Sequence, residues 1–381
     1  MAKVLHLFNI FGALTEKTIV DLTLGLAACG HDITIGYETL AAEAPRIALP
    51  LVQLKRVFVE PAADVPAQMN CIARTVEDAA RRELLDARFD IVHGHFGPRV
   101  LHGAAFLAAG TPMIIGIYGY DAGRLVRDKC WIRRYRWAAE RGTIFMTIAD
   151  YLRNRVLEMG IPASQVRLIH LGIDLAAHPF TPTPPPQPPR FVFAGRFVEK
   201  KGADVLLKAL ARLRDNGVSA TLDLVGAGPL EDDIRRSVVG MHLEDRVRMP
   251  GRVPFDRLLK VISGATALVQ PSVTAADGDT EGAPMVLMHA QAIGVPCITT
   301  AHAGNPEVIP PEGRRFVVPE RNIDALATAM EEMAALDAAQ RRSLQTAGRR
   351  WIEEHYDMRR TIDACDSLYR EITHGRTRGA Q

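Results

Sequence analysis

One stretch of this chain, residues 271–308, restricts its fold more than any other. An apolar run at residues 267–269 leads into it, and a second β-rich run lies at residues 297–300. Between them, apolar residues recur at helical spacing from Pro284 until Gly294 closes the pattern. The stretch therefore predicts a strand, a loop, a helix and a second strand, which is the repeating unit of an α/β sheet.

The start of this predicted helix is suited to binding an anion. Proline at the first helical position costs no hydrogen bond, and the N–H groups of Met285 and Val286 are then left without partners in the helix. Such N–H groups bind anions with the help of the helix dipole. Ligands of open α/β sheets lie beyond the carboxyl ends of the strands, so the loops 277–283 and 301–307 are expected to border one crevice.

Residues 271–307 resemble the signature of family 4 retaining glycosyltransferases, especially the exopolysaccharide, colanic-acid-type branch. The resemblance implies an α/β fold of the GT-B type, with two Rossmann-like domains facing each other across a cleft. In that family a glutamate, seven residues and a second glutamate hold the donor sugar and the nucleotide ribose. Glu281 stands at the first position, whereas His289 stands at the second. The donor-binding residues implied by this stretch are Glu281, Gly282, Pro284, Met285, Val286 and His289.

The segment GRFVEKKG, residues 195–202, follows a predicted strand. It places Arg196 and Lys201 at the carboxyl end of that strand, where a diphosphate would need positive charge. Arginine can bind two phosphate oxygens at once, and lysine supplies a compact charge. The resemblance implies that both cations bind the donor diphosphate, while an ordinary charged turn is the alternative. The expected nucleotide site also includes the turn residues Gly195 and Gly226 and, beside the base, Arg252 and Val253.

His289 and the D-x-D pair Asp277 and Asp279 are the unusual polar residues of this half. A neutral imidazole accepts one hydrogen bond from a ribose hydroxyl, where a carboxylate accepts two stronger ones, so His289 predicts weaker donor binding unless another residue compensates. A surface histidine is the alternative. The aspartates could hold a divalent cation, but their place before a helix start matches a loop of metal-independent relatives. No metal site is therefore expected.

The amino-terminal half begins with a strand, a turn at Gly12, a helix and a second strand, which suggests a parallel sheet. The turn lacks G-x-G-x-x-G, so an NAD-dependent oxidoreductase is disfavoured. Residues 14–22 resemble the segment with which family members reach over the acceptor. Thr15 and Glu16 are therefore expected on the acceptor side and Gly12 in the donor site, with a plain turn at Gly12 as the alternative.

Two further motifs follow predicted strands of this half. His93 and His95 lie on one face of a strand, but no third metal ligand is evident nearby, so a structural or pocket-lining pair is favoured, with His95 on the acceptor side. Residues 118–121 read YGYD where family members have His-Gly-x-Asp, with the histidine beside donor sugar and acceptor. Tyr118 replaces that histidine and Asp121 is retained. The catalytic set implied by the resemblance is Glu281, Arg196, Lys201, Tyr118 and Asp121.

The proline-rich segment TPTPPPQPPR, residues 181–190, predicts the domain division, because prolines preclude a regular helix and stiffen a connector. We expect an acceptor-side Rossmann-like domain over residues 1–178, a linker over 179–190 and a nucleotide-sugar domain over 191–350. Helices at 351–375 are expected to cross back to the first domain, as the resemblance implies.

Composition excludes some partners. The formal net charge is only +2, so bulk attraction to nucleic acid is not indicated. Five scattered cysteines without CxxC spacing favour a reduced cytosol, and no apolar run is long enough to span a bilayer. A basic segment with interleaved aromatics, residues 124–136, suggests contact with an anionic membrane surface, or simply a solvated helix face. The expected location is cytoplasmic, with the inner face of the membrane as the alternative.

The predicted function is transfer of a sugar from a nucleotide sugar to a saccharide or lipid-linked acceptor. A UDP-sugar is the expected donor, with a GDP-sugar as the alternative, and no cofactor or metal is expected. Two other functions stay open because Tyr118 and His289 depart from the family pattern. One is a catalytically degenerate relative that binds nucleotide sugar without turnover, and the other is a nucleotide-sugar epimerase of the same fold.

Overall fold

The computed structural model of the protein describes residues 1–13, 16–54 and 79–379. Strands and helices alternate along these residues. The strands are β1 Lys3–Phe11, β2 Asp32–Leu40, β3 Leu51–Gln53, β4 Ile91–His95, β5 Met113–Ile117, β6 Ile144–Thr147, β7 Val166–Leu168, β8 Arg190–Ala194, β9 Thr221–Val225, β10 Val247–Gly251, β11 Ala267–Gln270, β12 Cys297–Thr300 and β13 Val317–Val318.

The helices are α1 Lys17–Ala28, α2 Ala79–Asp86, α3 Arg99–Ala108, α4 Lys129–Ala139, α5 Asp150–Glu158, α6 Ala203–Asp215, α7 Glu231–Gly240, α8 Phe255–Ser263, α9 Met285–Ala292, α10 Ile323–Ala335, α11 Ala338–His355 and α12 Met358–Gly379. Single 3-10 turns, such as Glu199–Lys201, occur between them. In the described residues no helix is both long enough and apolar enough to cross a membrane.

The chain forms two compact units. The amino-terminal unit comprises Met1–Leu171 together with Met358–Gln381, and the carboxyl-terminal unit comprises Gly172–Asp357. Each unit contains one parallel sheet. In each sheet the chain first adds strands towards one edge and then, after one reversal, towards the other edge. Both units are therefore Rossmann-like, as the sequence predicts.

The sheet of the amino-terminal unit has the order β3-β2-β1-β4-β5-β6-β7 in the described residues. The central strands β1, β4 and β5 are almost wholly buried, which explains the apolar sequence of β5, whereas β1 and β4 also bury histidines. The strand order reverses between β1 and β4. The loops that follow these two strands therefore begin at the switch point, where open α/β sheets bind ligands.

The sheet of the carboxyl-terminal unit has the order β10-β9-β8-β11-β12-β13. Apolar side chains of β8 and β9, among them Phe191, Phe193 and Leu222, are fully buried and pack with α6 and α10 in one core. The order reverses between β8 and β11. The segments that the sequence singles out, 195–202 and 271–284, are the two loops that leave this switch point.

The proline-rich segment, predicted as a stiff linker, belongs to the carboxyl-terminal unit. The Thr181 N–H donates to the Ile293 carbonyl at 3.3 Å, and the Thr183 hydroxyl donates to the Ser263 carbonyl at 2.9 Å. Gln345 also donates to the Thr183 carbonyl, at 3.1 Å. An extended segment has polar backbone groups free for such bonds, so it is fastened to the carboxyl-terminal unit. The units divide at 171/172 and 357/358, instead of near 178 and 350.

Candidate active site

Two loops at the switch point of the carboxyl-terminal unit are joined by ion pairs. We call residues 195–202 the cation loop and residues 271–284 the acidic loop. Lys201 Nζ lies 2.8 Å from Glu281 Oε1, and Lys200 Nζ lies 3.0 Å from Asp279. Val273 N–H donates to the Lys200 carbonyl at 2.9 Å. Residues about eighty positions apart in sequence thus form one polar cluster.

Glu281 is the most enclosed member of this cluster. Its side chain is 9% exposed, and Ser272 Oγ donates to its Oε1 at 3.3 Å. Burial acts to raise the pKa of Glu281, but the charges of Lys201 and Lys200 outweigh burial and hold that pKa below its ordinary value. Glu281 is therefore a fixed carboxylate at neutral pH, able to accept hydrogen bonds from ligand hydroxyls.

A histidine that sequence reasoning missed supports Glu281 from behind. The Glu281 N–H donates to His302 Nε2 at 3.1 Å, and His302 Nδ1 lies 2.7 Å from Glu320 Oε1. Because Nε2 accepts, the proton of His302 lies on Nδ1 and is donated to Glu320. His302 lies in the predicted crevice loop 301–307, but nothing in the sequence connects it with Glu320.

Close backbone approaches shape the cation loop. A Cβ at Gly202 would lie 2.0 Å from the Pro271 carbonyl oxygen, and a Cβ at Gly226 would lie 1.9 Å from the Gly195 carbonyl oxygen. Lys201 lies over Gly195, which leaves room for its methylene groups. These glycines let the loops after β8, β9 and β11 meet.

Arg196 differs from Lys201. Its side chain is exposed, and within the described residues it has no ion-pair partner, whereas Lys201 is paired with Glu281. The end of β8 thus carries one cation without an ion-pair partner in the described residues, Arg196, and one that is paired with a carboxylate, Lys201. Together they could neutralise an anionic ligand in contact with the loop.

The helix α9 begins within the same cluster. Pro284 is its N-cap, and Met285 is its first residue, one position later than the sequence predicts. The N–H groups of Met285 and Val286 donate no hydrogen bond to any described residue, and both residues are half-buried. Gly282 is buried at the turn before the helix. Among the described residues these N–H groups are unpaired, as anion binding requires.

His289, one turn along α9, is held by a second histidine that sequence reasoning missed. His289 Nδ1 lies 2.9 Å from His178 Nε2, and His178 Nδ1 lies 2.6 Å from the Asp174 carbonyl oxygen. Since a carbonyl only accepts, His178 donates from Nδ1. If both rings are neutral, His289 donates from Nδ1 to His178 Nε2. Phe255 packs edge-on against the His289 ring at 4.9 Å.

The remaining residues predicted for the carboxyl half are the base-side pair Arg252 and Val253 and the D-x-D pair Asp277 and Asp279. Arg252 and Val253 follow β10, whose Gly251 carbonyl accepts from Gly226 N–H, but no hydrogen bond joins their side chains to the acidic loop in the described part of the chain. Asp277 accepts from the Asp279 N–H. Because Asp279 is paired with Lys200, the D-x-D pair has a resident cation.

At the switch point of the amino-terminal unit, Gly12 has a φ of +81°, and a Cβ there would lie 2.4 Å from Ala44 Cβ. Glu16 is 7% exposed, and its Oε2 has no hydrogen-bond partner in the described residues. Burial raises the pKa of Glu16 to about 7, opposed in part by Arg99. Thr15, predicted beside it, lies outside the described residues.

Asp121 joins two loops of this unit. Its Oδ1 accepts from the Gly97 N–H and its Oδ2 from the Tyr118 N–H, both at 2.8 Å. The carboxylate is buried and accepts from these backbone groups, so it positions the loops after β4 and β5, and its catalytic role stays a prediction. Tyr118 Oη lies 2.9 Å from His95 Nδ1. The structure also adds a third histidine, His6, to the predicted pair.

Comparison with known proteins identifies the family of this chain. Residues 176–351 match the family described as glycosyl transferases group 1, and residues 15–177 match glycosyltransferase family 4. The chain is 30% identical over 276 residues to the colanic acid biosynthesis glycosyltransferase WcaL of Escherichia coli K12, covering 71% of this chain and 68% of WcaL. It is 29% identical over 306 residues to the GDP-mannose-dependent alpha-(1-6)-phosphatidylinositol monomannoside mannosyltransferase of Mycobacterium tuberculosis, covering 75% and 77%.

Solved structures show the fold. Sucrose-phosphate synthase of Thermosynechococcus elongatus superposes with a TM-score of 0.77 at 20% identity, covering 98% of this chain and 100% of that one. Anabaena HepE in complex with UDP-glucose gives 0.73 at 14% identity, covering 97% and 99%. The two parallel-sheet units, the paired loops and these matches lead to one conclusion: the chain belongs to family 4 of the glycosyltransferases and has the GT-B fold.

Proposed function

We propose that the protein is a retaining, metal-independent glycosyltransferase that uses a nucleotide sugar to extend a polysaccharide or glycolipid. The observation that carries the proposal is the convergence of Lys201, Glu281 and the first N–H groups of α9 on one switch point. The cations and the N–H groups suit a diphosphate, and the carboxylate suits sugar hydroxyls.

The chemistry to be stabilised is the negative charge that develops on the diphosphate as it leaves the anomeric carbon. Arg196 and Lys201 would neutralise this charge, and the N–H groups of Met285 and Val286 would donate to it. Glu281, fixed by Lys201 and Ser272, would hold the donor sugar. The acceptor proton can pass to the departing phosphate, so the reaction requires no separate side-chain base.

Metal independence is supported by the pairing of Asp279 with Lys200 at 3.0 Å. A lysine ammonium already supplies the positive charge that a divalent cation would bring to this aspartate. We therefore expect transfer to continue after treatment with EDTA. Loss of activity on chelation, restored by Mg²⁺ or Mn²⁺, would contradict this part of the proposal.

The donor is proposed to be a UDP-sugar, with a GDP-sugar as the alternative. Two proteins similar to this chain carry these nucleotides in their names: HepE is described with UDP-glucose and the mycobacterial enzyme as GDP-mannose-dependent. His289 is proposed to accept a hydrogen bond from a ribose hydroxyl. Isothermal titration with UDP, GDP and ADP, followed by transfer assays with the matching sugars, tests the choice.

The same assays separate two competing functions that the replacements at Tyr118 and His289 support. A degenerate relative would bind a nucleotide sugar without transfer or slow hydrolysis, and an epimerase would convert the sugar without an acceptor. Transfer to a saccharide with the anomeric configuration kept, read by NMR of the product, supports the proposed enzyme. Inversion of configuration would exclude the retaining mechanism.

Contact with an anionic membrane is also proposed for the basic segment 124–136. Arg124, Arg127, Lys129 and Arg133 are exposed, whereas Arg134 is buried against the Trp131 ring, 4.5 Å from its centroid. The contact would therefore be electrostatic and sensitive to salt. Cosedimentation with phosphatidylglycerol vesicles, but not with phosphatidylcholine vesicles, is the expected result, and equal sedimentation would contradict it.

A further inference from the structure

A chain of hydrogen bonds crosses the interior of the amino-terminal unit and ends at Tyr118. His6 on β1 lies opposite His93 on β4, and His95 follows on the same face. All three imidazoles are fully buried, and burial holds their pKa values well below the ordinary value of 6.5. Each ring is therefore neutral at physiological pH and carries one proton.

Thr23 determines where the proton of His6 lies. The Thr23 hydroxyl donates to the Ile19 carbonyl at 2.9 Å, so its oxygen can only accept from His6 Nδ1, at 3.2 Å. His6 Nδ1 therefore carries the proton. The same nitrogen lies 2.9 Å from His95 Nε2, which must be the acceptor in that pair.

The proton of His95 then lies on Nδ1, because a neutral imidazole has only one. His95 Nδ1 lies 2.9 Å from the Tyr118 hydroxyl, so His95 donates and Tyr118 accepts. Thr23 thus determines the direction of this last hydrogen bond through His6 and His95.

The other end is equally ordered. His6 Nε2 has the lone pair and lies 3.1 Å from the Tyr369 hydroxyl, which donates to it. The hydroxyl of Tyr369 has one proton, so its oxygen accepts from His93 Nδ1 at 2.7 Å. Four hydrogen bonds thus run in one direction, from His93 through Tyr369, His6 and His95 to Tyr118.

Tyr118 is the only member of the chain that is partly exposed. A Cβ at Gly116 would lie 2.5 Å from the Tyr118 hydroxyl, the Phe96 ring lies 4.8 Å from the Tyr118 ring, and Asp121 holds the Tyr118 N–H. Within the described residues, His95 is the one hydrogen-bond partner of the Tyr118 hydroxyl. Its own proton is therefore available to a ligand.

We propose that Tyr118 is an obligatory hydrogen-bond donor to an oxygen atom of the saccharide substrate, and that His95 is the positioning residue that fixes this direction. The inference rests on the proposed glycosyltransferase function. Because the Tyr118 oxygen already accepts from His95, the sugar must supply an acceptor, such as a hydroxyl or ring oxygen. The site lies beside the switch point of the amino-terminal sheet, where ligands of such sheets bind.

The three histidines also satisfy a metal geometry, since one ligand atom from each lies within 4.8 Å of the others. A metal would need a lone pair from every ring. In the chain described above, the lone pairs of His6 and His95 accept hydrogen bonds. Among the ring nitrogens of these three histidines, only His93 Nε2 has no partner in the described residues. The two interpretations therefore predict different occupants and different proton positions.

Nitrogen NMR of the full-length protein labelled in histidine tests the direction of the chain without any activity. We expect neutral His6, His93 and His95, each with its proton on Nδ1, and no stoichiometric zinc in protein purified without added metal. An Nε2–H tautomer of His95, or one equivalent of zinc that is lost in His93→Asn, would overturn the inference.

Kinetics test the role of Tyr118. Tyr118→Phe should raise the KM for the saccharide about 3- to 10-fold, the size of one neutral hydrogen bond, while nucleotide affinity is unchanged. His95→Asn keeps an N–H near the position of Nδ1, whereas His95→Leu removes it. His95→Asn should therefore retain a lower KM than His95→Leu when Tyr118 is present, and the two should be equal in the Tyr118→Phe background.

Equal differences between the two His95 variants in both backgrounds would overturn the positioning role, as would an unchanged KM in Tyr118→Phe. A different result would count against the proposed function itself: no transfer by the wild-type protein with any nucleotide sugar. In that case the tautomer measurement still decides whether Tyr118 is held as a donor.

Discussion

The switch points of the two sheets carry polar groups of different kinds. In the carboxyl-terminal unit, lysines and carboxylates from two loops form partly exposed ion pairs, with Lys201 17% and Glu281 9% exposed. In the amino-terminal unit, neutral imidazoles and phenols form a buried chain. Charges near solvent can neutralise an anionic ligand, whereas a buried neutral chain can only fix the direction of a hydrogen bond. Equivalent places in one kind of sheet thus support different tasks.

The largest expected effect concerns the charged cluster. Lys201→Ala should weaken nucleotide binding about 10- to 100-fold, since a charge-assisted hydrogen bond is lost. Glu281→Ala should lower kcat about 100-fold with a smaller change in nucleotide affinity. Titration calorimetry and steady-state kinetics measure both. Lys208→Ala, which removes an exposed lysine paired with Asp204, is the matched control. Equal nucleotide affinity for wild type and Lys201→Ala would contradict the assignment.

The next largest expected effect is a difference between the two units in how acid lowers their stability. The buried histidines of the amino-terminal unit have folded pKa values below 6.5, so the unfolded chain binds their protons first, and stability falls as pH drops below 6.5. Glu16, with its pKa raised to about 7, acts in the opposite direction between pH 7 and 4.5. Three histidines against one carboxyl leave about two protons, or about 2.7 kcal/mol per pH unit at most.

Glu281 behaves differently, because its folded pKa lies below 4.5 and its stabilisation is lost only as pH falls through that lower value. Hydrogen exchange at pH 7.5, 6 and 5, corrected for intrinsic rates, should therefore show β1 and β4 losing protection before β8 and β11. Replacement of His93 by asparagine should reduce the slope in the amino-terminal unit. Parallel loss in both units would contradict the comparison.

Glycine substitutions test whether the two switch points are equally crowded. Gly202→Ala places a Cβ 2.0 Å from the Pro271 carbonyl, and Gly12→Ala places one 2.4 Å from Ala44. Both should cost more stability than the strain of a positive φ alone, about 1 kcal/mol. The matched controls are Gly217→Ala and Gly110→Ala, which have positive φ and no atom within 4 Å of the added Cβ.

Thermal unfolding should show a larger fall for Gly202→Ala than for Gly217→Ala, and for Gly12→Ala than for Gly110→Ala. The Gly202 change should also weaken nucleotide binding, because it separates the cation loop from the acidic loop. Similar melting temperatures for a variant and its control would mean that the loops move apart at little cost.

The smallest expected effect concerns His289. His289→Glu should tighten donor binding by about tenfold if the ribose hydroxyls lie beside it. The new carboxylate would face His178 Nε2, so this variant requires a proton on that nitrogen. Titration of His289→Glu and of the double variant with His178→Gln separates the two effects. An unchanged or lower affinity in both would place the nucleoside elsewhere.

Much of the fold follows from the sequence, because apolar runs and helical spacing identify the strands and helices around both switch points. The predicted strands at 191–194 and 297–300 agree closely with β8 and β12. The convergence of Arg196, Lys201 and Glu281 on one sheet edge follows from the rule that parallel strands end together. Their positions as donor-binding residues stay predictions until a nucleotide is bound.

Other features depend on contacts between distant residues and have no local signal. His6 lies 89 residues before His95, and His178 lies 111 residues before His289, so sequence spacing cannot pair them. The proline-rich segment shows the reverse problem. Its composition is typical of a linker, but hydrogen bonds from Thr181 and Thr183 fasten it to other parts of the carboxyl-terminal unit.

The ends of the carboxyl-terminal unit meet each other. Ile173 N–H donates to the Tyr356 carbonyl at 2.8 Å, and Ile173 pairs with Asp357 in an isolated parallel bridge. In topological terms, Gly172–Asp357 is an insertion whose entry and exit are adjacent, placed within the chain that forms the other unit. We expect a fragment that begins at residue 172 to fold on its own. A fragment that begins after the proline-rich segment would lack Ile173, and with it the backbone pairing that joins the two ends of the unit.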